Sequence, residues 1–212
     1  MLLYMHPASP NARAARIVCR ELSVCVEERV VQLNRAEQKS SASRNLNPNG
    51  CIPVLVDEDF VVWEASAILH YLADTAQCRA LCAANARERA DILRWQFWSQ
   101  QHWVPVLQAF IQENVFRQVD GHGEPDIRRL ALLAPSLHQA ATVLEDHLAS
   151  RTWLVGERLS LADISVAVHL MYAEAARMPI TTYENVQRWY TQVRSLDGWR
   201  QTEPDGQTSS GH

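Results

Sequence analysis

Apolar and polar positions change rhythm several times within the first 75 residues. "LLYM" (residues 2–5) is an apolar run of strand length. Across "PNARAARIVCREL", Ala14, Ile17, Val18 and Leu22 recur at helical spacing. "CVEERVVQL" is strand-like, with Val26, Val30 and Val31. "GCIPVLVD" and "FVVW" read as two short strands parted by the turn-like Asp57-Glu58-Asp59. "EASAILHYLADTA" then places Ile68, Leu69 and Leu72 on one helical face. The resulting order, β-α-β-irregular-β-β-α, predicts an α/β domain over residues 1–77 whose helices cover a small mixed sheet.

From about residue 86 the strand rhythm stops. "ARERADILRWQFWSQQHWVPVLQAFIQENVFRQ" is one long helical pattern carrying Trp95, Trp98 and Trp103. "PDIRRLALLAPSLHQAATVLEDHLA" follows, and Pro135 inside it predicts a kink or break. "SLADISVAVHLMYAEAA" and "YENVQRWYTQVRSL" complete an all-α second domain over 86–200. Residues 78–85 read as the linker, and the polar, turn-rich "QTEPDGQTSSGH" (201–212) as a disordered tail.

Composition narrows the function classes. The 212 residues are 47% hydrophobic and 21% charged, as in ordinary globular proteins. A formal net charge of −4 gives no reason to expect nucleic acid or an anionic membrane as partner. No apolar run approaches the roughly 18 residues of a membrane span. The opening "MLLYMHPASPN" lacks the basic start and long apolar run of a secretory leader, so the expected location is the cytoplasm. Five scattered cysteines (19, 25, 51, 78 and 82) form no C-x-x-C pair, which indicates neither a disulfide framework nor a zinc site.

Four stretches carry candidate chemistry. In "HPASPNARAAR", Ser9 before Pro10 is an ordinary helix start, with Ser as N-cap and Pro as first helical residue. A hydroxyl there, beside free N–H groups, can also stabilise a bound anion such as a thiolate. In "NPNGCIPVLV", Pro53 marks a strand start. From the residues alone the Ile52-Pro53 bond is expected to be trans, since only about 5% of X–Pro bonds are cis. "SLADI" reads as a structural capping box between Ser160 and Asp163. His102, among Gln100, Gln101, Trp98 and Trp103, reads first as a plain surface or core histidine. There is no H-E-x-x-H, no phosphate-cradling Gly-rich loop and no G-x-S-x-G elbow.

Read together, "YMHPASPNARAARI", "NLNPNGCIPVLVD", "WEASAILHYLAD" and "WLVGERLSLADISVA" arrive in the order found in cytosolic glutathione transferases, and the chain resembles that family over nearly all of residues 1–200. The resemblance implies a thioredoxin-like N-terminal domain, an all-helical C-terminal domain and usually a homodimer. It implies glutathione as co-substrate, bound by the first domain, with a small hydrophobic electrophile taken up between the two. No metal is implied.

Residue by residue, Ser9 matches the hydroxyl that faces the sulfur in the serine-type (theta/delta-like) classes. The resemblance makes the Ile52-Pro53 bond cis, so that the Ile52 backbone pairs with the cysteinyl part of glutathione. Gln38 falls where the family often has a His or Gln on the glycine carboxylate. Asn11, Trp98, His102 and Val106 are the expected electrophile-pocket residues. The family's acidic-Ser pair at the last N-domain helix reads Glu64-Ala65 here, so the acid is kept and the hydroxyl that binds the γ-glutamyl carboxylate is lost. Ser66 lies about 100° further round the helix. Cys51 replaces the Lys, Arg or Gln common before Ile52. Two functions follow: a glutathione transferase, or a non-catalytic transferase-fold module for binding or assembly. A disulfide oxidoreductase would want a Cys near Ser9, and the nearest is Cys19 on the following helix.

Overall fold

In the computed structural model, which describes residues 1–77 and 81–204, the first apolar run becomes an inner strand of a four-stranded sheet. The strands are β1 (Leu2–Met5), β2 (Glu27–Val30), β3 (Val54–Asp57) and β4 (Phe60–Trp63), in the order β2-β1-β3-β4. β1 runs parallel to β2 and antiparallel to β3, and β3 and β4 form a hairpin. The register sets Leu3 opposite Leu55 and Leu55 opposite Val62, so three buried side chains run across one sheet face.

Helix α1 (Pro10–Glu21) connects β1 to β2, α2 (Ser41–Leu46) lies in the long connection to β3, and α3 (Ala65–Thr75) follows β4. α1 and α3 pack together, burying Ile17 and Val18 from one and Ile68, Leu69 and Leu72 from the other. These are the positions whose spacing predicted the two helices.

The helical unit begins with α4 (Ala86–Trp98), capped by Asn85, and continues without interruption through a π-helical turn, Ser99–Trp103, into α5 (Val104–Ile111). Pro105 accounts for the wide turn. Lacking an N–H, it cannot serve the carbonyl four residues back, and the ladder shifts to five-residue bonds such as Val104 N–H to Ser99 C=O. A second π turn, Gln112–Phe116, leads into α6 (Arg117–Val119). α7 (Ile127–Leu148) follows, then α8 (Leu161–Ala167) and α9 (Glu184–Arg194). Pro135 does not break α7 as its pattern predicted. Pro135 and Ala131, whose carbonyl loses its donor, are both exposed, so water can take the bond.

The chain divides into two compact units, Met1–Cys82 together with the described residues from Ser195 onward, and Ala83–Arg194. The expected boundary at residue 200 is thus displaced. The last helix, α10 (Asp197–Gln201), packs on α1 in the first unit. Gly198 makes this possible, because a Cβ there would sit 2.8 Å from the Ile17 carbonyl oxygen. Arg13, buried, lies 4.4 Å from the Trp199 ring and donates to the Trp199 carbonyl at 3.0 Å. The predicted tail begins inside this packing: Gln201 ends α10 and Thr202 is buried, whereas residues 205–212 lie outside the described residues. Among the described residues no helix is long and apolar enough to cross a membrane.

Candidate functional site

Sheet register brings three loop segments to one end. β1 finishes at Met5 beside the start of β3, with Tyr4 opposite Val54. Val54 also faces Trp63, the last residue of β4. The segments leaving those ends are therefore neighbours: His6–Ser9 after β1, Ile52-Pro53 before β3, and Glu64-Ala65 after β4. β2, parallel to β1, ends on the same side and leads to Gln38.

Ser9 is the N-cap of α1, and its hydroxyl oxygen accepts the Ala12 N–H at 3.3 Å. Capping occupies only a lone pair, and the hydroxyl proton has no acceptor among the described residues. The first turn of α1 has no acidic side chain, so its positive end is not neutralised locally. Structural cap and donor to an anion are compatible roles for this one oxygen.

The Ile52-Pro53 bond is cis. Buried Asn47 organises the loop before it, donating to the Cys51 carbonyl at 2.9 Å and accepting the Asn49 N–H at 3.0 Å. Gly50 takes φ +58°, and a Cβ there would lie 3.0 Å from the Gln38 carbonyl, so only glycine lets the two loops close up. Gln38 is half-buried beside this loop, with its Oε1 buried and without a hydrogen-bond partner among the described residues. Lys39, which the sequence reading passed over, donates to the Asn49 carbonyl at 3.3 Å.

Glu64 has φ 72°, ψ 119°, a strained backbone for a residue with a side chain. It is exposed and makes no capping bond to α3. The first N–H groups of α3, from Ala65 onward, thus begin a helix that no side chain caps. Asn11 lies half-buried in the first turn of α1.

In the helical unit, Trp98, His102 and Val106 line one cavity of about 510 Å³. Pro105 and Gln101 join them from the same long helix, with Leu133, Ala140 and Val143 from α7 opposite. No Asp, Glu, Lys or Arg is in the lining. The α7 residues were missed by sequence reasoning, although their recurrence at 133, 136, 140 and 143 marks one helical face. Trp98 also stacks on Trp103 with ring centroids 6.1 Å apart.

Cys19 is buried in α1, and burial pushes its thiol up to about 12, which makes it an inert core residue rather than a redox group. Among the described residues no group of three or more His, Cys, Asp or Glu is placed to hold a metal ion.

The sequence model of "Glutathione S-transferase, N-terminal domain" matches residues 1–74, and that of "Glutathione S-transferase, C-terminal domain" matches residues 104–192. FtsZ-localized protein A of Caulobacter vibrioides is 27% identical over 204 residues, spanning 93% of this chain and 88% of that protein. Glutathione S-transferase 1 of Schizosaccharomyces pombe is 29% identical over 177 residues, spanning 77% and 71% respectively. Among solved structures, glutathione transferase F2 from Populus trichocarpa matches in fold with a TM-score of 0.87 at 22% identity, covering 95% of this chain and 96% of that one.

Proposed function

Since this chain belongs to the glutathione S-transferase family, its two halves matched in turn by the family's two domain models, we propose that it binds glutathione in the first unit and transfers the thiolate to a small electrophile. The observation that carries this reading is the Ser9 hydroxyl, seated on a helix N-terminus with no acceptor for its proton among the described residues, at the same sheet end as the cis Ile52-Pro53 bond.

A free thiol has a pKa of about 8.5, so little is thiolate at neutral pH. Lowering it by ~2 units corresponds to about 2.7 kcal/mol of preference for the anion. One hydroxyl hydrogen bond to a charged sulfur supplies ~1.5–3 kcal/mol, and the helix end adds to it. In this scheme the thiol proton leaves to solvent, and Ser9 stays protonated and donates its hydrogen bond. The sulfur's electron pair forms a bond to the electrophilic carbon while that carbon's bond to its leaving group breaks and the leaving group departs to solvent with the electron pair. The Ile52 backbone pairs with the cysteinyl portion of glutathione, and Gln38 reaches the glycine carboxylate. Glu64 and the uncapped start of α3 at Ala65 receive the γ-glutamyl end. Trp98, His102 and Val106 offer the electrophile an uncharged cavity within the second unit, and Asn11, on α1 of the first unit, is the remaining residue assigned to the electrophile. The protein acts as a homodimer in the cytoplasm, where glutathione is kept reduced.

Two observations favour a second reading, a transferase-fold module for binding or assembly: Ala65 in place of the hydroxyl, and a relative named for its localisation with FtsZ that aligns over nearly the whole chain. One experiment separates them. Glutathione is titrated by calorimetry, and turnover is then measured with a panel of electrophiles for the native protein and for Ser9→Ala. The transferase reading expects Ser9→Ala to bind glutathione nearly unchanged while losing about 10- to 100-fold in rate, the equivalent of the donated hydrogen bond. Glutathione binding without turnover of any electrophile would favour the second reading.

A further inference from the structure

The turn that delivers Ser9 to its helix is held from one residue. The His6 carbonyl accepts the Ser9 N–H at 2.9 Å, and the His6 ring accepts the Ala8 N–H through Nδ1 at 3.1 Å. An imidazole nitrogen that accepts a hydrogen bond carries no proton, so the ring is the neutral tautomer with its proton on Nε2. Protonating Nδ1 would set two donors against each other. Burial acts in the same direction, holding His6 below the ordinary histidine value. On the far side, Ser9 is fixed by α1, whose Arg13 N–H donates to the Ser9 carbonyl at 2.9 Å and whose Ala12 N–H donates to the hydroxyl oxygen. Two peptide units, Pro7-Ala8 and Ala8-Ser9, thus lie between the part-buried His6 ring and the helix.

We infer that His6 is the positioning residue for the Ser9 hydroxyl: its neutral ring fixes the Ala8 N–H and, through it, the direction in which Ser9 presents its proton to the thiolate. This rests on the reading of Ser9 given above. It also assigns His6 no proton to accept, because the nitrogen that would take one is already a hydrogen-bond acceptor.

The ring's two nitrogens have different amide mimics, which makes the inference testable. In His6→Asn the side-chain oxygen replaces Nδ1, whereas in His6→Gln the amide nitrogen replaces Nε2 and the Ala8 contact is lost. His6→Asn is expected to keep kcat within about threefold of the native protein. His6→Gln and His6→Ala are expected to lose about tenfold in kcat, the scale of one hydrogen bond, with the glutathione Kd from calorimetry within about twofold of native. Rescue by Gln rather than Asn would overturn the inference in favour of a direct Nε2 contact with the ligand. Equal rates for all four proteins, or Asn no better than Ala, would also overturn it. A long-range ¹H–¹⁵N spectrum reads the ring without turnover: the Nε2–H tautomer is expected across neutral pH, and an Nδ1–H tautomer overturns the inference. Ser9→Ala with undiminished rate would instead sink the reading of Ser9, and it is told apart because the spectrum still reports the ring.

Discussion

Ser9 caps α1 and Ala65 opens α3 at one end of a sheet, and of these two side chains only that of Ser9 carries an oxygen. Supplying one at position 65 makes a direct prediction. Ala65→Ser should tighten glutathione binding by roughly tenfold or more, as one hydrogen bond to a carboxylate is worth ~1.5–3 kcal/mol. Calorimetry showing no gain would place the γ-glutamyl carboxylate elsewhere. His169 gives a second residue-scale prediction. Burial takes its imidazole down to about 4 from an unfolded value of 6.5, only partly opposed by the Ser165 backbone. Below pH 6.5 the unfolded chain binds a proton that the folded chain refuses, so this contribution to stability is whole above 6.5 and fades as pH falls to about 4. The loss is on the order of 3 kcal/mol, and His169→Phe should flatten it in urea unfolding followed by tryptophan fluorescence at pH 7.5 and 5. Residue identity alone reaches Ser9, because a hydroxyl before proline is a readable helix start. It does not reach His6, whose importance lies in a backbone N–H two residues on. Nor does it reach the cis bond at Ile52-Pro53, which only the family resemblance predicted against the trans expectation.

At the scale of elements, Asp163 does more than its capping box required. One oxygen accepts the Ser160 N–H and hydroxyl, and the other accepts the Leu154 N–H and the Trp189 indole N–H at 2.9 Å. The motif was legible three residues apart, but Leu154 and Trp189 join it only through tertiary packing. Burial alone raises the Asp163 carboxyl, while the four donors favour its charged form. Asp163→Ala would strand those donors in the core and should lower unfolding free energy by roughly 3–5 kcal/mol, measurable by urea denaturation. Asp163→Asn, which keeps one acceptor, should fall between. Elsewhere, local pattern correctly gave helix type yet not helix detail. Pro105 widens a turn and Pro135 is absorbed without a break, because solvent and the five-residue ladder can replace what proline removes.

For the whole molecule, the contacts divide the chain after Cys82, and in the sequence the strand rhythm has stopped by about residue 86. The return of the chain after Ser195 was not readable, since "YENVQRWYTQVRSL" continues in the same helical period and says nothing of which sheet or helix it will meet. The proposed homodimer also belongs at this scale. Large apolar side chains stand exposed on both units, Phe60 and Trp63 on one, Phe97, Leu132 and Val143 on the other. If the family's usual assembly holds, sedimentation gives twice the 24.1 kDa chain mass, and where Phe97 and Leu132 lie in the interface, Phe97→Glu combined with Leu132→Glu shifts the protein toward monomer. A native monomer in sedimentation would remove the homodimer from the proposal.

The indole of Trp199 resting over the Arg13 guanidinium has one more implication, for the order of biosynthesis. Arg13 lies one turn beyond Ser9 on the same helix, yet the cover for its charge is encoded some 186 positions later. A nascent or recombinant fragment ending at residue 82 would lack the Trp199 ring and carbonyl that cover the Arg13 guanidinium, and would open that face of α1 to water. The first unit is written before the helical one and completed only after it.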